Sequence, residues 1–312
     1  MSVLRKVAAL RSGPVWLVGG AVRDLVLGRP LGDLDVACAG AKALATACAR
    51  ELKGTLVVLD EREGVYRVVL PKETKGPTQV DVAELQGGSI EKDLLRRDFT
   101  INAIALPLYP RPGGFLDPRG GLDDLKKGVL RCEEERILAE DPLRLLRAFR
   151  IAAQLGLRID ELTLKMIKRR RQDARQPAPE RTRAELAALL DCPGASAWLK
   201  AMDDCGLLTA VLEELEPARK CAEAYYGPGG VMTHTLDVCA RLDFLLTNLR
   251  ALYPAQAKAF WTRLAARAPA DAPPRALLML GALLHDVAKA ETAKRVDGRL
   301  RFFEHDVIGA ER

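Results

Sequence analysis

No apolar run in this 312-residue chain reaches the roughly 18 residues that a membrane-spanning helix needs, so no membrane partner is expected. The N-terminal MSVLRKVAALRSG has one basic cluster but too short an apolar stretch for a signal peptide. The seven cysteines are scattered (Cys38, Cys48, Cys132, Cys192, Cys205, Cys221 and Cys239) and none forms a CxxC pair. An odd, dispersed set suits free thiols in a reducing cytosol and points to a cytoplasmic protein. Internal repeats and low-complexity tracts are missing as well. Hydrophobic residues make up 48%, charged residues 29%, and the mean hydropathy is −0.03. That balance excludes disorder, collagen and coiled coil as the main architecture. The length suits about two domains or one large one, with enough chain to bury real cores.

Lysine and arginine number 48 against 42 acidic residues, a net charge of +6. The pI near 9.0 is a modest pointer to a polyanionic partner. Local clustering says more. Arg144, Arg147 and Arg150 precede Lys165, Lys168, Arg169, Arg170, Arg171 and Arg175, then Arg181 and Arg183. A solvated helical face explains such a run about as well as a nucleic-acid contact does.

Along the chain, PVWLVGG (14–20) reads as a short buried strand ending in a glycine pair, and AVRDLVLG as a helix. LDVACA is a second strand, followed by a helix over residues 41–52. GTLVVLD, VYRVVLP and TQVDVAEL read as strands, IEKDLLRRD as a helix and FTINAIALPL as a further strand. PLYPRPGGFLDPRGG is a Pro/Gly-rich loop. From about residue 130 strand signals vanish and helical patterns dominate, which marks a domain boundary. ARAPADAPPR (267–276) is a loop between helices. The expected class is α+β: a mixed sheet with helices over residues 1–130, then all-α segments.

The most informative stretch is LVGGAVRDLVLGRPLGDLDVACA. Asp33 and Asp35 stand two apart at the entry to an apolar strand, so they project on one face. Two such close charges repel by about 1–4 kcal/mol near a surface unless a cation sits between them. Mg²⁺ takes one or two carboxylates and leaves its other positions to water and substrate phosphates. Two ions about 4 Å apart can clamp an in-line phosphoryl or nucleotidyl transfer. A bare DxD is most often only a polar turn before a strand. Here Gly19-Gly20 ends a strand and opens a helix, a turn whose N–H groups can hold phosphate. Arg23 adds a fixed fork one helical turn on. The pattern is neither GxGxxG nor GxxxxGK[ST]. A phosphate-binding turn ahead of a DxD points to a nucleoside triphosphate with its metals.

The order strand-GGAVRD, then DLD, resembles the head of the class II template-independent nucleotidyltransferases, which include bacterial CCA-, CC- and A-adding enzymes and poly(A) polymerases. RRDFTINA (96–103), FLDPRGGLDDL (115–125), EDPLRLLRAFR (140–150) and ERTRAEL (180–186) match in order. Together these segments span residues 14–186. The resemblance implies a polymerase-β-like head over residues 1–130. A helical neck and body that binds nucleotide and RNA would follow over 131–225, with a partial HD domain over 226–312. It implies two Mg²⁺ ions on Asp33 and Asp35, triphosphate contacts from Gly19, Gly20 and Arg23, and nucleotide-sugar and triphosphate contacts from Arg97 and Asp98, with Asn102 supporting that loop. Asp81 in TQVDVAEL stands where the family often has an acid and is the candidate third catalytic carboxylate, though a strand-edge aspartate explains it equally.

EDPLRLLRAFR carries the clearest chemical logic. Pro142 suits a first helical turn, which puts Asp141 and Arg144 three apart on one surface. A carboxylate accepts from an exocyclic amine, and a guanidinium donates to a ring nitrogen or carbonyl. Cytosine and adenine both offer an amine beside a ring acceptor; uracil and guanine do not. One Asp–Arg pair can therefore choose CTP and ATP without a template. Arg147 and Arg150 continue the row as phosphate contacts or supports of the pocket. The expected reaction is attack of a tRNA 3′-hydroxyl on CTP or ATP with pyrophosphate release, the basic helices holding the acceptor stem by backbone and shape. The family's flexible loop ahead of RRDFT has little room between VDVAEL and IEKDLLRRD. That shortage resembles CC-adding, A-adding or poly(A)-forming members.

His234, His285 and His305 fall in MTHTLDV, LLHDVAK and FFEHDVIGAE. Imidazoles with an adjacent carboxylate suit a divalent metal, and the order resembles the HD domain of many bacterial tRNA nucleotidyltransferases. By that resemblance His234, His285 and Asp286 are metal ligands, His305 is a second-metal or phosphate group, and Asp306 belongs to its helix. The sequence stops at Arg312, ahead of a further family ligand, so a truncated or vestigial, incomplete metal site is expected. A metal-dependent phosphohydrolase with an RNA-binding head is the competing reading.

Overall fold

The fold is described from a computed structural model, covering residues 3–10, 13–110, 113–269 and 272–311. It divides into two compact units, Met1–Ile137 and Leu138–Arg312.

The first unit is built on a six-stranded mixed sheet. Its strands are β1 (Val15–Val18), β2 (Asp33–Cys38), β3 (Thr55–Asp60), β4 (Val65–Val69), β5 (Gln79–Glu84) and β6 (Ala105–Tyr109). They lie in the order β3-β4-β5-β2-β1-β6. Valine dominates these segments, as suits β-branched side chains on a pleated surface. Only β2 and β5 pair in parallel, with Asp35 opposite Asp81; the other pairings are antiparallel. The connection between that parallel pair contains the alanine-rich helix α3 (Ala41–Leu52), whose Ala41, Leu44, Ala45 and Cys48 face inward. Helices α1 (Val3–Ala9), α2 (Gly19–Val26), α4 (Ile90–Leu95) and α5 (Gly121–Lys127) complete this unit with the two-residue strand β7 (Val129–Leu130). A cluster of Val18, Ala37, Ile90, Leu94 and Ala105, flanked by Trp16, Leu85 and Leu116, locks α4 onto the sheet.

The second unit is mainly helical. After α6 (Glu135–Glu140), which runs through the division, come α7 (Leu143–Leu155), the short β8 (Arg158–Ile159) and α8 (Glu161–Arg170). Then follow α9 (Pro179–Leu190), α10 (Ala195–Asp204), α11 (Leu208–Val211), α12 (Glu223–Tyr226) and α13 (Gly230–Leu252). The chain closes with α14 (Pro254–Ala265), α15 (Pro274–Leu284), α16 (Lys289–Thr292), a hairpin β9 (Ala293–Val296) and β10 (Arg299–Phe302), and α17 (His305–Ala310). Asp160 caps α8 through the N–H groups of Leu162 and Thr163. Buried Asp243 ties three helices: it accepts from Gly194 and Ser196 at the start of α10 and from Arg275 of α15.

Two expectations are corrected. FTINAIALPL is strand only in its second half, because Thr100–Asn102 winds into a 3-10 turn stitched to Arg131 O and to Asp124. Strand structure also returns after residue 130, most clearly in the β9–β10 hairpin. The Pro/Gly-rich loop and ARAPADAPPR fall between regular elements; their residues 111–112 and 270–271 lie outside the described set. No helix among the described residues is long and apolar enough to cross a membrane.

Candidate active site

β1 ends at Val18, and the chain turns into α2 through Gly19 at φ +62°, a left-handed geometry that glycine adopts without cost. The turn faces the carboxylates. A Cβ on Gly19 would stand 2.9 Å from Arg97 Nη1 and 3.5 Å from Asp35 Oδ2; one on Gly20 would stand 3.4 Å from both Arg23 Nη2 and Asp35 Oδ2. The N–H of Ala21 donates to the Asp35 carboxylate. Glycine turn, Asp35, Arg23 and Arg97 are thus neighbours.

Asp33 and Asp35 occupy alternate positions of β2, and Asp81 stands beside Asp35 on β5. Burial, then the charge of Asp81, push the Asp35 carboxyl above its ordinary value, against the pull of Arg97 and the Ala21 N–H. Asp33 accepts from Thr78 Oγ1 at 3.2 Å. Asp81 is gripped bidentately by Arg67, Nε to Oδ1 at 2.8 Å and Nη2 to Oδ2 at 2.7 Å. Arg67 itself lies within the field of Asp33 and Asp35. Nothing in the sequence marked Arg67; it comes from an ordinary strand pairing, Arg67 opposite Asp81.

The RRDFTINA and FLDPRGGLDDL segments form a hydrogen-bonded frame behind this face. Arg23 Nη1 donates to Asn102 Oδ1 at 2.9 Å, and Asn102 Nδ2 to buried Asp98 at 3.0 Å. Asp98 also accepts from the Phe99 N–H. Arg97 is held by Asp93 at 2.9 Å, and its carbonyl accepts from buried Arg119, which also grips Glu133. Asp117 caps α5 at Gly121 and Leu122. Gly121 packs so tightly that a Cβ there would lie 2.1 Å from Thr100 O. Arg119, Asp117 and Asp124 lie in a motif the sequence flagged without assigning them roles.

In the second unit Pro142 precedes α7, and Asp141 and Arg144 sit at its start. Asp141 pairs with Arg181 of α9 at 2.9 Å, and Arg144 Nη1 lies 3.9 Å from Glu140. Arg147 and Arg150 both bond buried Glu185 of α9, their Nε atoms at 3.1 and 2.5 Å. Lys165, Lys168, Arg169 and Arg175 are exposed on α8 and the turn after it, with Met166 and Ile167 buried beneath.

The histidines converge in the same unit. His234 of α13, His285 and Asp286 offer ligand atoms within 4.8 Å of one another, a possible metal site. His305 Nε2 lies 3.6 Å from Asp286 Oδ1, so the fourth expected residue approaches Asp286 but stands outside that group of three. The stand-in is Lys289: its ammonium sits 2.7 Å from Asp286 Oδ2, donates to Tyr226 Oη, and lies over the Tyr226 and Phe302 rings. Burial alone would raise Asp286, but bonds from His285 and Lys289 outweigh it and hold the carboxyl at about 2. The donor set fits a metal, with Lys289 already supplying one positive charge. Asp306 lies within α17.

A Poly A polymerase head domain model matches residues 15–131, and a model described as a probable RNA and SrmB-binding site of polymerase A matches 156–219. An A-adding tRNA nucleotidyltransferase of Deinococcus radiodurans is 37% identical over 95% of this chain and 62% of its own. A multifunctional CCA protein of Neisseria gonorrhoeae is 32% identical over 95% of this chain and 67% of its own. The chain spans about half the length of the CC-adding tRNA nucleotidyltransferases it also matches, 45% in each of two cases. A solved CCA-adding enzyme of Thermotoga maritima, complexed with tRNA, superposes with a TM-score of 0.60 at 25% identity, over 95% of this chain and 83% of that one.

Proposed function

The chain belongs to the tRNA nucleotidyltransferase and poly(A) polymerase family, and on that footing we propose that it extends the 3′ end of tRNA without a template, adding C, A or both from CTP and ATP. The observation that carries the reading is the glycine turn lying against Asp35, with Asp33, Arg23 and Arg97 around it. Asp33 and Asp35 are the residues that would hold two Mg²⁺ ions, which supply charge neutralisation for in-line transfer at the α-phosphate. The N–H groups of the turn and the forks of Arg23 and Arg97 bind the triphosphate. Asp98 and Asn102 hold Arg23 in place. Asp141 and Arg144 read the base. Arg147 and Arg150 brace the helix that presents them, through Glu185.

Residues 1–130 serve as the catalytic head and 131–225 as the neck and body, where exposed α8 cations hold the acceptor stem. Residues 226–312 form the HD segment, and the protein works in the cytoplasm. The third-acid role of Asp81 requires release from Arg67, so two carboxylates suffice for the metals. The span from Gln79 to Leu95 is filled by β5, a 3-10 turn and α4, which favours partial CC- or A-addition or poly(A) synthesis over the complete CCA sequence.

The test offers tRNA ending at the discriminator base, after one C, or after two, with each nucleotide separately. Product lengths assign CCA, CC, A or poly(A) activity, and a chain that extends none of them refutes the proposal. The convergence of His234, His285 and Asp286 favours a second activity, hydrolysis of a phosphate ester. Cleavage of a 2′,3′-cyclic phosphate with no nucleotide addition makes that reading the primary one.

A further inference from the structure

ERTRAEL is a motif of which the proposed function so far uses only Glu185. It lies on α9, and it braces α7 at two points. Glu185 takes Arg147 and Arg150. Arg181, one turn earlier on the same face, donates Nη2 to Asp141 Oδ2 at 2.9 Å. The other oxygen, Oδ1, accepts from the Leu143 N–H at 3.3 Å. Asp141 is therefore pinned through both oxygens, one by its own helix and one by α9. A carboxylate offers about four lone-pair sites, so acceptor capacity remains. Its side chain is 25% exposed, open enough to meet a ligand, while that of Arg181 is 51% exposed.

Resting on the base-reading role of Asp141, we propose that Arg181 is a positioning residue for nucleotide selection, fixing the carboxylate where only an exocyclic amine reaches it. An ionised carboxylate accepts from any N–H. Cytosine and adenine present their amine at one edge position. Uracil and guanine present a ring N–H next to a carbonyl. A carboxylate free to swing meets that ring N–H too, so rejecting U and G needs an immobile acceptor as well as a negative one. Arg144, at the start of α7, lies 3.9 Å from Glu140. A guanidinium fork from another helix holds the carboxylate in a fixed direction.

The experiment measures kcat and KM for CTP, ATP, UTP and GTP on a tRNA lacking its 3′ end, with Tm for each protein. Arg181→Ala is expected to lower the ratio of kcat/KM for C and A over U and G by about tenfold, mainly through KM for the correct nucleotides. Arg181→Lys recovers only part of the ratio, since a point charge lacks the fork. Should Arg181→Ala fail to fold, Arg181→Gln, which keeps a donor and most of the length, is read in its place. An unchanged ratio with a lowered Tm overturns the proposal and leaves Arg181 a structural brace. Asp141→Ala separates the two layers: if it keeps the ratio, the base-reading role of Asp141 falls whatever Arg181 does. A wild-type chain that incorporates no nucleotide removes both.

Discussion

Potential metal ligands gather at two places among the described residues, and their surroundings are opposite. In the first unit Asp35 faces Asp33 and Asp81, carboxylate beside carboxylate, and burial with the charge of Asp81 drives it toward the neutral form. In the second unit Asp286 is the one carboxylate among His234, His285, His305 and Lys289, and its bonds from His285 and Lys289 keep it ionised down to about 2. One cluster sets three carboxylates against the single fork of Arg67, with Arg97 nearby, and still calls for a cation from outside. The other carries its cation on its own chain. A concentration of potential ligands is thus a poor guide to metal demand; the sign of the unbalanced charge is a better one.

The strongest test of that contrast removes the first cluster. Asp33→Ala with Asp35→Ala takes away the expected metal seat, which is worth several kcal/mol, so incorporation of labelled CTP and ATP falls on the order of a thousandfold. An unchanged rate with unchanged circular dichroism breaks the assignment. Next comes the second cluster. Lys289→Met deletes its internal cation, and divalent-metal affinity at the histidines, read by calorimetry, rises by about tenfold because Asp286 loses its nearest positive partner. No rise means that Lys289 does not compete with metal.

Arg67→Gln frees Asp81 beside Asp35. The added repulsion and the lost bidentate pair cost about 1–2 kcal/mol in chelator, recovered in part by Mg²⁺, which shows as a larger Mg²⁺-dependent gain in Tm than in wild type. The smallest effect is Asp35→Asn without metal. A group whose folded pKa is raised opposes folding when ionised, so stability falls as pH climbs through its unfolded value toward the folded one. Removing the charge raises Tm at pH 7 by about 2–4 °C, the response to about 1 kcal/mol in a unit of this size. A lower Tm shows that Asp35 is already neutralised inside the fold.

Most strands of the first unit were legible, because Val15–Val18 is an apolar run and Asp33–Cys38 and Gln79–Glu84 alternate polar with apolar residues. FTINAIALPL misled because its apolar content comes from packing of a 3-10 turn, with Ile101 and Ala103 fully buried. The β9–β10 hairpin was missed although Asp297-Gly298, both at positive φ, is a strong two-residue turn signal. At the site, the residues that touch along one element were readable from spacing, as with Asp33 and Asp35. Arg67 on Asp81, Arg181 on Asp141 and Glu185 on Arg147 were not. They join positions 14, 40 and 38 residues apart, and only the folded backbone brings them together.

Gly121 bears no functional atom, yet its missing side chain lets α5 press against the carbonyl of Thr100, in the turn whose Asn102 steadies Arg23. Any larger residue there would lift that turn and loosen the grip on Arg23, the arginine proposed to bind phosphate. In a saturation library scored for survival, position 121 would be as intolerant as the acids themselves, and conservative replacement by alanine would fare no better than replacement by tryptophan.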